Sequence, residues 1–340
     1  GEGFGGDGAP EWACDESYYE SYEPTSPWWQ NYSSDEIEAC FDEFYQNDER
    51  FGYFEDAWFA AADRLGDHPA VLGYDLLNEP HFGSQQPGEV VTNSLQPRFR
   101  QVTERILTVE ENRVVFYQAS PLAALNFVAP FEEAQFPQIA YAPHYYHPGM
   151  HEGEPYLESY APYIRNSLDA LDDTAANLGG VPIWLGEFGA FTEDPTTADF
   201  LHMFLGELTK RNWSWAWWSD DLSSGGFGLR DAEGELKIDV VELLGHPYAR
   251  RIPGEIGDQS VDFESSSYTL EFTWQYDAAL VVWQGTAATR ATRVDVYPTD
   301  EGPASAVTCS QRQDAPDGLL ECPVPGETAF GRNWTVRATW

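Results

Sequence analysis

The chain has 340 residues, 42% of them apolar and 15% aromatic, which excludes a mainly disordered protein and leaves room for two domains. No apolar run approaches the ~18 residues of a membrane span, so stable membrane insertion is not expected. Fifty-seven acidic residues against eighteen basic ones give a formal net charge of −39, which excludes partners that need a basic surface, nucleic acids above all.

Apolar strands and helices alternate along the first part of the chain. The predicted strands are Val71–Leu77, Arg113–Gln118, Gln138–Tyr146, Val181–Phe188 and Trp213–Ser219. The predicted helices are Asp35–Leu65, Leu95–Glu110, Tyr156–Leu178 and Ala198–Arg211. This alternation indicates an α/β fold with a parallel sheet, and its spacing suits a (β/α)8 TIM barrel. Five strands cannot close an eight-stranded barrel. The fold is therefore either a smaller open sheet or a barrel whose first three strands are missing.

The composition changes near residue 254, and short alternating segments follow. Four large apolar residues share one face of a predicted strand: Tyr268, Leu270, Phe272 and Trp274. A period of two, with Gly, Pro and Asp between segments, is typical of an antiparallel β-sandwich. We therefore predict a partial barrel as the catalytic domain over 1–254 and a small C-terminal β-sandwich over 255–340.

Two of the predicted strands end in a glutamate. The strand before Asn78-Glu79-Pro80 stops at the proline, and a second strand ends in Gly186-Glu187-Phe188-Gly189. Barrel enzymes place their active sites at this end of the strands. Glycoside hydrolysis needs one neutral carboxyl and one ionised carboxylate. Either glutamate alone is more often a structural ion-pair partner, but packing does not explain both, because an uncompensated buried charge costs several kcal/mol.

Aromatic residues lie at the ends of two further predicted strands. His144 and Tyr146 are two residues apart and share a face. The tyrosine is a candidate for orienting the nucleophile and the histidine for binding a sugar hydroxyl; a packed core is the alternative. Tryptophan gives a flat apolar surface on which sugar rings stack. Trp218, nearest the end of its strand, is the candidate for that surface. The other tryptophans of that strand are expected in the core: Trp213, Trp215 and Trp217.

These motifs, in this order, resemble glycoside hydrolase family 5. Asp67-His68-Pro69 leading into Gly73–Pro80, the Tyr-Ala-Pro-His-Tyr-Tyr run at 141–146 and the Gly6–Trp12 opening further resemble endoglycoceramidases, which release intact glycans from ceramide with retention. The resemblance implies that Glu79 is the acid/base and Glu187 the nucleophile. In the family, the motif that matches Gly6–Trp12 follows the third barrel strand. The resemblance therefore also implies that this sequence is truncated at its start or that a companion fragment completes the barrel.

The same resemblance assigns substrate-binding roles. Asn78 matches the residue that hydrogen-bonds the sugar 2-hydroxyl, and His144, Tyr146 and Trp218 match supporting residues around the cleaved bond. The expected function is therefore a retaining β-glycoside hydrolase acting on the glycan–ceramide linkage of glycosphingolipids. An endo-β-glucanase, a mannanase or another β-glucosidase of the family is the enzymatic alternative. A non-catalytic carbohydrate-binding protein is the alternative of another class.

The cysteines indicate the compartment. Cys14 with Cys40 and Cys309 with Cys322 would each close a modest loop, so we predict two disulfides and a secreted protein; four free thiols are the alternative. His147 and His151 have Pro-Gly between them, so a helical metal pair is not expected. We expect no metal and no cofactor. The expected partner is a glycolipid or oligosaccharide, with at most transient contact with lipid, and the chain is expected to be a monomer unless a missing segment completes it.

Overall fold

The computed structural model describes residues 13–340 except 27, 121–130, 223, 288, 312–317, 324–325 and 327–328, so the Gly6–Trp12 motif lies outside it. The helices are α1 Glu16–Ser21, α2 Asp35–Gln46, α3 Asp48–Leu65, α4 Pro87–Val90, α5 Gln96–Ile106, α6 Pro148–His151, α7 Ala161–Asn177, α8 Thr197–Lys210 and α9 Ile238–Leu244. Among the described residues, none of these helices combines the length and apolar composition that crossing a bilayer requires.

Fifteen strands lie in the described residues. The first six are β1 Gly73–Asp75, β2 Val114–Tyr117, β3 Ile139–Tyr141, β4 His144–Tyr145, β5 Trp184–Phe188 and β6 Ser214–Trp217. The others are β7 Tyr248–Arg251, β8 Gly254–Asp262, β9 Ser267–Trp274, β10 Leu280–Trp283, β11 Arg293–Pro298, β12 Val307–Thr308, β13 Ser310–Gln311, β14 Leu319–Cys322 and β15 Asn333–Thr339. Each of the five predicted buried strands therefore coincides with one of the first six strands or, for 138–146, with two.

The chain forms two compact units. The first contains the residues up to Tyr145 together with Pro162–Phe188, and the second contains Tyr146–Ala161 and Gly189–Trp340. The predicted boundary between a barrel domain and a sandwich domain at residue 254 stays a prediction.

Parallel strands form the sheet of the first unit. β1 pairs with β2, β2 with β3, and β4 with β5, all in parallel, and a parallel bridge joins Tyr141 to Ile183. The strand predicted over 138–146 is interrupted, because Pro143 between β3 and β4 has no N–H to donate to a neighbouring strand. A side chain at Gly73 would overlap the Val114 carbonyl, so the close approach of β1 to β2 requires glycine there.

The helix predicted over Asp35–Leu65 is wrong as a single element, because it is two helices with a break at Asn47. The Asn47 backbone is extended, and its side chain accepts hydrogen bonds from the backbone N–H groups of Glu49 and Arg50. An asparagine in this position satisfies N–H groups that a helix start leaves without partners. The capping bond therefore ends α2 and begins α3.

Two antiparallel sheets form the C-terminal part of the second unit. One has the order β12-β11-β15-β9-β8 and the other β13-β14-β10-β7. Their side chains share one core, which contains Tyr268, Leu270, Phe272, Trp274, Leu280, Val282, Val296, Cys322, Trp334 and Val336. The predicted antiparallel architecture is confirmed, and the four residues predicted on one face of β9 are all buried.

Both predicted disulfides are present. Cys14 is bonded to Cys40 and packs with Tyr22 and Ile37 in a small core of the first unit. Cys309 is bonded to Cys322, which lies in the sandwich core. Free thiols, the alternative, are therefore absent among the described cysteines.

Candidate active site

Glu79 stands in a strained backbone conformation just after β1. Its φ of 44° lies in the left-handed region, which a non-glycine residue adopts at a cost of about 1–3 kcal/mol. Its backbone N–H donates to Oε1 of Gln118 at 2.7 Å, and Gln118 is completely buried. Strain of this kind persists only where neighbouring groups hold it, and it is concentrated at functional sites.

His144 joins two carboxylates through one ring nitrogen. Its Nδ1 lies 2.9 Å from Oε1 of Glu79 and 3.3 Å from Oε2 of Glu187. The His144 side chain is 3% exposed, whereas those of Glu187 and Glu79 are 16% and 33% exposed. Because ionised carboxylates only accept hydrogen bonds, Nδ1 carries a proton whenever both glutamates are ionised. The buried imidazole thus holds two partly accessible carboxylates together.

Strand pairing sets the relative positions of His144 and Glu187. In the parallel register of β4 and β5, His144 lies directly opposite Glu187. The adjacent Gly186 leaves room for the imidazole, since a Cβ at this position would lie 3.1 Å from His144 Nε2. The residue before Glu187 is therefore a glycine for a physical reason, namely the close passage of the histidine ring.

The carboxylate oxygens of Glu79 and Glu187 are close enough to interact strongly. One oxygen from each and the His144 nitrogen all lie within 4.8 Å of one another. Two negative charges at this separation repel by about 3 kcal/mol at an effective dielectric constant of about 20. Such a trio can deliver a proton from one carboxyl while the other stays ionised.

Asp75, four residues before Glu79, is a further acid in this region. Partial desolvation at the end of β1 raises the pKa of Asp75 to about 6, and the charge of His144 acts in the opposite direction. The sequence interpretation did not single out this residue. At neutral pH it adds negative charge near His144.

The remaining predicted site residues are Asn78, Tyr146 and Trp218. Asn78 is exposed and follows β1 in the first unit. Tyr146 and Trp218 belong to the second unit. There Tyr146 packs edge-on against Phe227 and His151, at centroid distances of 5.9 and 5.6 Å. The structure thus brings Glu79, His144 and Glu187 together and describes the other candidates separately.

Trp218 follows β6 directly and is 44% exposed. A Cβ at Gly189 would lie 2.9 Å from the Trp218 carbonyl oxygen and 2.8 Å from the Phe227 ring, so glycine is required there. Trp217 donates from Nε1 to the Phe227 carbonyl at 3.0 Å. Trp213 is buried as predicted, whereas Trp215 and Trp217 are only half-buried.

The sequence interpretation missed Gln118. This residue ends the predicted strand Arg113–Gln118, so it occupies the same kind of strand-end position as the two glutamates. A polar residue directly after an apolar run is the signal that the sequence offers. An amide has no acid, base or nucleophilic role in the predicted reaction, so its position at a strand end does not by itself indicate a function.

Comparisons with known proteins agree on one family for this chain. Residues 10–222 match the sequence model of cellulases, glycosyl hydrolase family 5. An endoglycoceramidase from Cyanea nozakii is 24% identical over 263 residues, which cover 72% of this chain and 50% of that protein. Endoglycoceramidase I from Rhodococcus hoagii (strain 103S) is 26% identical over 345 residues, covering 93% of this chain and 64% of that protein. The chain thus spans about half to two thirds of the length of these relatives.

Solved structures agree with these matches. Endo-glycoceramidase II from Rhodococcus sp., in complex with ganglioside GM3, superimposes with a TM-score of 0.82 at 25% identity, covering 99% of this chain and 76% of that one. The same protein, as a lactosyl-enzyme intermediate, gives a TM-score of 0.78 at 26% identity, covering 98% and 74%. The family match and these structures assign the TIM-barrel fold predicted from the strand pattern.

Proposed function

The chain belongs to glycosyl hydrolase family 5, and on that basis we propose that it is a retaining β-glycosidase that cleaves the bond between glycan and ceramide in glycosphingolipids. The observation that carries the proposal is the separation of the Glu79 and Glu187 carboxylate oxygens, within 4.8 Å. Retaining enzymes hold their two carboxyl groups ~5–5.5 Å apart and inverting enzymes ~6.5–9.5 Å apart. The similarity to endoglycoceramidases supports the choice of substrate.

Glu187 acts as the nucleophile in this proposal. Its carboxylate forms a bond to the anomeric carbon while the bond from that carbon to the ceramide oxygen breaks. Glu79 donates its proton to the departing oxygen, so ceramide leaves as a neutral alcohol. Glu79 then removes a proton from water, which attacks the anomeric carbon as the bond from that carbon to Glu187 breaks, so the intact glycan leaves with its configuration retained.

His144 positions both carboxylates, and the other predicted residues contact the sugar. Asn78 is assigned to the 2-hydroxyl, Tyr146 to support of the nucleophile and Trp218 to stacking on the sugar ring. The half-exposed face of Trp218 supports its assignment. Replacing Trp218 with alanine should raise KM more than it lowers kcat, because stacking acts on bound substrate and transition state alike.

The barrel requires more strands than the described residues supply. Five of the predicted strands are present there, and among described residues β1 pairs with β2 alone. A TIM barrel has eight parallel strands. We propose that three further strands complete it, one of them next to β1, in a longer form of this protein or in a companion fragment. Activity that appears only when such a segment is supplied would support this, and full activity of residues 1–340 alone would refute it.

The products formed from two substrates distinguish the possible activities. Purified protein is incubated with a glycosphingolipid in detergent and with cello-oligosaccharides, and the products are separated by mass. The proposal predicts free ceramide and an intact glycan. Cleavage of cello-oligosaccharides without action on glycolipid would favour the second candidate, an endoglucanase or mannanase, which the match to cellulases supports. Sugar binding without any turnover would favour a carbohydrate-binding protein.

Two matched variants make this assay specific. Glu79→Gln removes the proposed acid and should lower the rate on glycolipid by about 10²–10⁴-fold, the usual contribution of general acid catalysis. Glu20→Gln changes an exposed glutamate of α1 and should leave the rate unchanged. Equal rates for both variants would contradict the assignment of Glu79.

We also propose that the protein is secreted and monomeric. The two disulfides support an oxidising compartment, because cytosolic thiols are kept reduced. The net charge of −39 supports a monomer, because like charges oppose association. Recovery of the oxidised protein from culture medium as a single species by light scattering is the corresponding test.

A further inference from the structure

The three groups at the centre of the site are also a set of metal donors. Glu79 and Glu187 each offer a carboxylate oxygen, and His144 offers Nδ1, all within 4.8 Å of one another. We propose that these residues bind a divalent transition-metal ion of the zinc type, and that this ion blocks the site rather than serving the reaction. Binding itself does not depend on the proposed glycosidase activity, whereas the inhibition rests on it.

The distances from His144 to the two glutamates are close to those that a small ion needs. In a tetrahedral zinc site with bonds of about 2.0–2.1 Å, two ligand atoms lie about 3.3–3.4 Å apart. His144 Nδ1 lies 3.3 Å from Glu187 Oε2, which already meets this spacing. It lies 2.9 Å from Glu79 Oε1, and the oxygens of the two glutamates lie within 4.8 Å of each other, so Glu79 has to move away from the ring and toward Glu187 for all three donors to reach one ion. An ion at the centre of the three atoms would replace the proton on Nδ1.

The donors are held by rigid elements. His144 and Glu187 face each other across two paired strands, so their spacing is set by the sheet. Glu79 is fixed through its backbone N–H by the buried Gln118. A preformed site loses little conformational entropy when the ion binds. The exposed parts of Glu79 and Glu187 give the ion access.

The donor types determine which ions bind. One imidazole nitrogen and two carboxylates are ligands that zinc and the neighbouring late transition metals accept, with a fourth position left for water. Magnesium and calcium prefer sets of six or more oxygen ligands, so these ions should bind weakly. The net charge of −39 raises the concentration of cations near the protein.

Occupation by zinc removes both functions that the reaction needs. A carboxylate bonded to the ion cannot attack a sugar, and a carboxylate without a proton cannot protonate a leaving group. The substrate and the ion therefore compete for the same two oxygens. Zinc should raise the apparent KM with little effect on kcat.

Direct titration of Zn²⁺ into the full 340-residue chain tests the binding without any substrate. Calorimetry at neutral pH should show one equivalent bound, Mg²⁺ should give no comparable signal, and Zn²⁺ should raise the melting temperature as a ligand of the folded state. His144→Gln should weaken Zn²⁺ binding by about 100-fold or more, since losing an outer-shell partner already costs ~10–100-fold. His68→Gln, at an exposed histidine, is the matched control and should bind as the parent does.

Three results would overturn the inference. They are the absence of stoichiometric Zn²⁺ binding by the parent, an unchanged affinity in a folded His144→Gln variant, and an unchanged affinity in Glu187→Gln, which preserves the shape of the side chain. If His144→Gln does not fold, Glu187→Gln decides. Zinc binding in a chain that hydrolyses no glycoside, even when the proposed completing segment is supplied, would refute the proposed function and support the metal site, and the two failures are thus distinguishable.

Discussion

His144 lies directly opposite Glu187 in the register of the parallel strands β4 and β5, with its Nδ1 3.3 Å from a Glu187 carboxylate oxygen. The same nitrogen lies 2.9 Å from Glu79, which arrives from a different strand. Two carboxylates, which follow or lie on two different strands, therefore converge on one imidazole carried by a third.

Gly186→Ala should disturb the site without unfolding the protein. The new Cβ would lie 3.1 Å from His144 Nε2, so the ring has to shift by a few tenths of an ångström. Because small displacements of positioning groups reduce rates strongly, we expect kcat to fall by about tenfold. Gly52→Ala, in a helix with no atom within 4 Å of the new Cβ, is the control and should stabilise the fold by about 0.5–1 kcal/mol. Equal kcat in both variants would contradict the role of Gly186.

Gln118→Leu should lower kcat and change stability little. The substitution removes the acceptor of the Glu79 N–H, which leaves a donor without its partner at a cost of about 1–3 kcal/mol. It also removes the buried Gln118 Nε2, which has no hydrogen-bond partner among the described residues, and this offsets part of the loss. We expect a fall in kcat of about 10–100-fold at nearly constant KM.

The conservative change at this position separates positioning from packing. Gln118→Glu keeps an oxygen acceptor for the Glu79 N–H, and a completely buried carboxyl is favoured in its neutral form. This variant should recover most of the kcat that Gln118→Leu loses. If both variants were equally slow with equal melting temperatures, the hydrogen bond to Glu79 would not be the cause.

His81 should make the fold sensitive to acid. Burial lowers the pKa of His81, and both ring nitrogens are engaged, with Nε2 2.8 Å from the Tyr32 carbonyl and Nδ1 accepting from the Gly83 N–H at 3.0 Å. A histidine with a depressed folded pKa contributes stability that is fully present above its unfolded value near 6.5 and is lost as pH falls through the folded value. The melting temperature should therefore decrease below about pH 6.5.

A comparison of variants isolates this contribution. His81→Gln should show a shallower fall of melting temperature between pH 7 and pH 5 than the parent, because the titrating group is gone. His68→Gln changes an exposed histidine and should retain the parent's slope. A slope in His81→Gln equal to the parent's would show that other groups cause the acid sensitivity.

Asp75→Asn should stabilise the protein at neutral pH. The folded pKa of Asp75 is raised to about 6 from its ordinary 3.8, so its contribution to stability is present below about pH 4 and is lost as pH rises through about 6. The neutral isostere avoids that loss. Its melting temperature should match the parent's near pH 4 and exceed it at pH 7, by a modest amount because the residue is partly exposed. No difference at pH 7, or one equal to that of the exposed Asp67→Asn, would contradict this.

Much of the fold was predictable because its strands are apolar and its helices periodic. Two departures have local causes, the side-chain cap at Asn47 that divides a long helix and the proline at 143 that divides a strand. Neither changes the order of the elements. Both arise from a single residue whose hydrogen-bonding capacity differs from that of its neighbours.

The chemistry of the site was predictable in part. Carboxyl ends of parallel strands meet at one edge, so Glu79, His144 and Glu187 were expected near each other. The sharing of one His144 nitrogen by both carboxylates depends on register and on Gly186, which periodicity does not encode. The left-handed backbone of Glu79 and its support by Gln118 depend on contacts 39 residues apart in sequence.

The stereochemistry of hydrolysis tests the central claim most directly. The anomer formed first from a β-linked substrate is followed by proton NMR, and a 2-deoxy-2-fluoro glycoside, which slows release of a glycosyl-enzyme, is used to label the protein for peptide mass spectrometry. The pairing of Glu79 with Glu187 predicts a β-anomer as the first product and a label on Glu187. An α-anomer, or a label on any other residue, would contradict it.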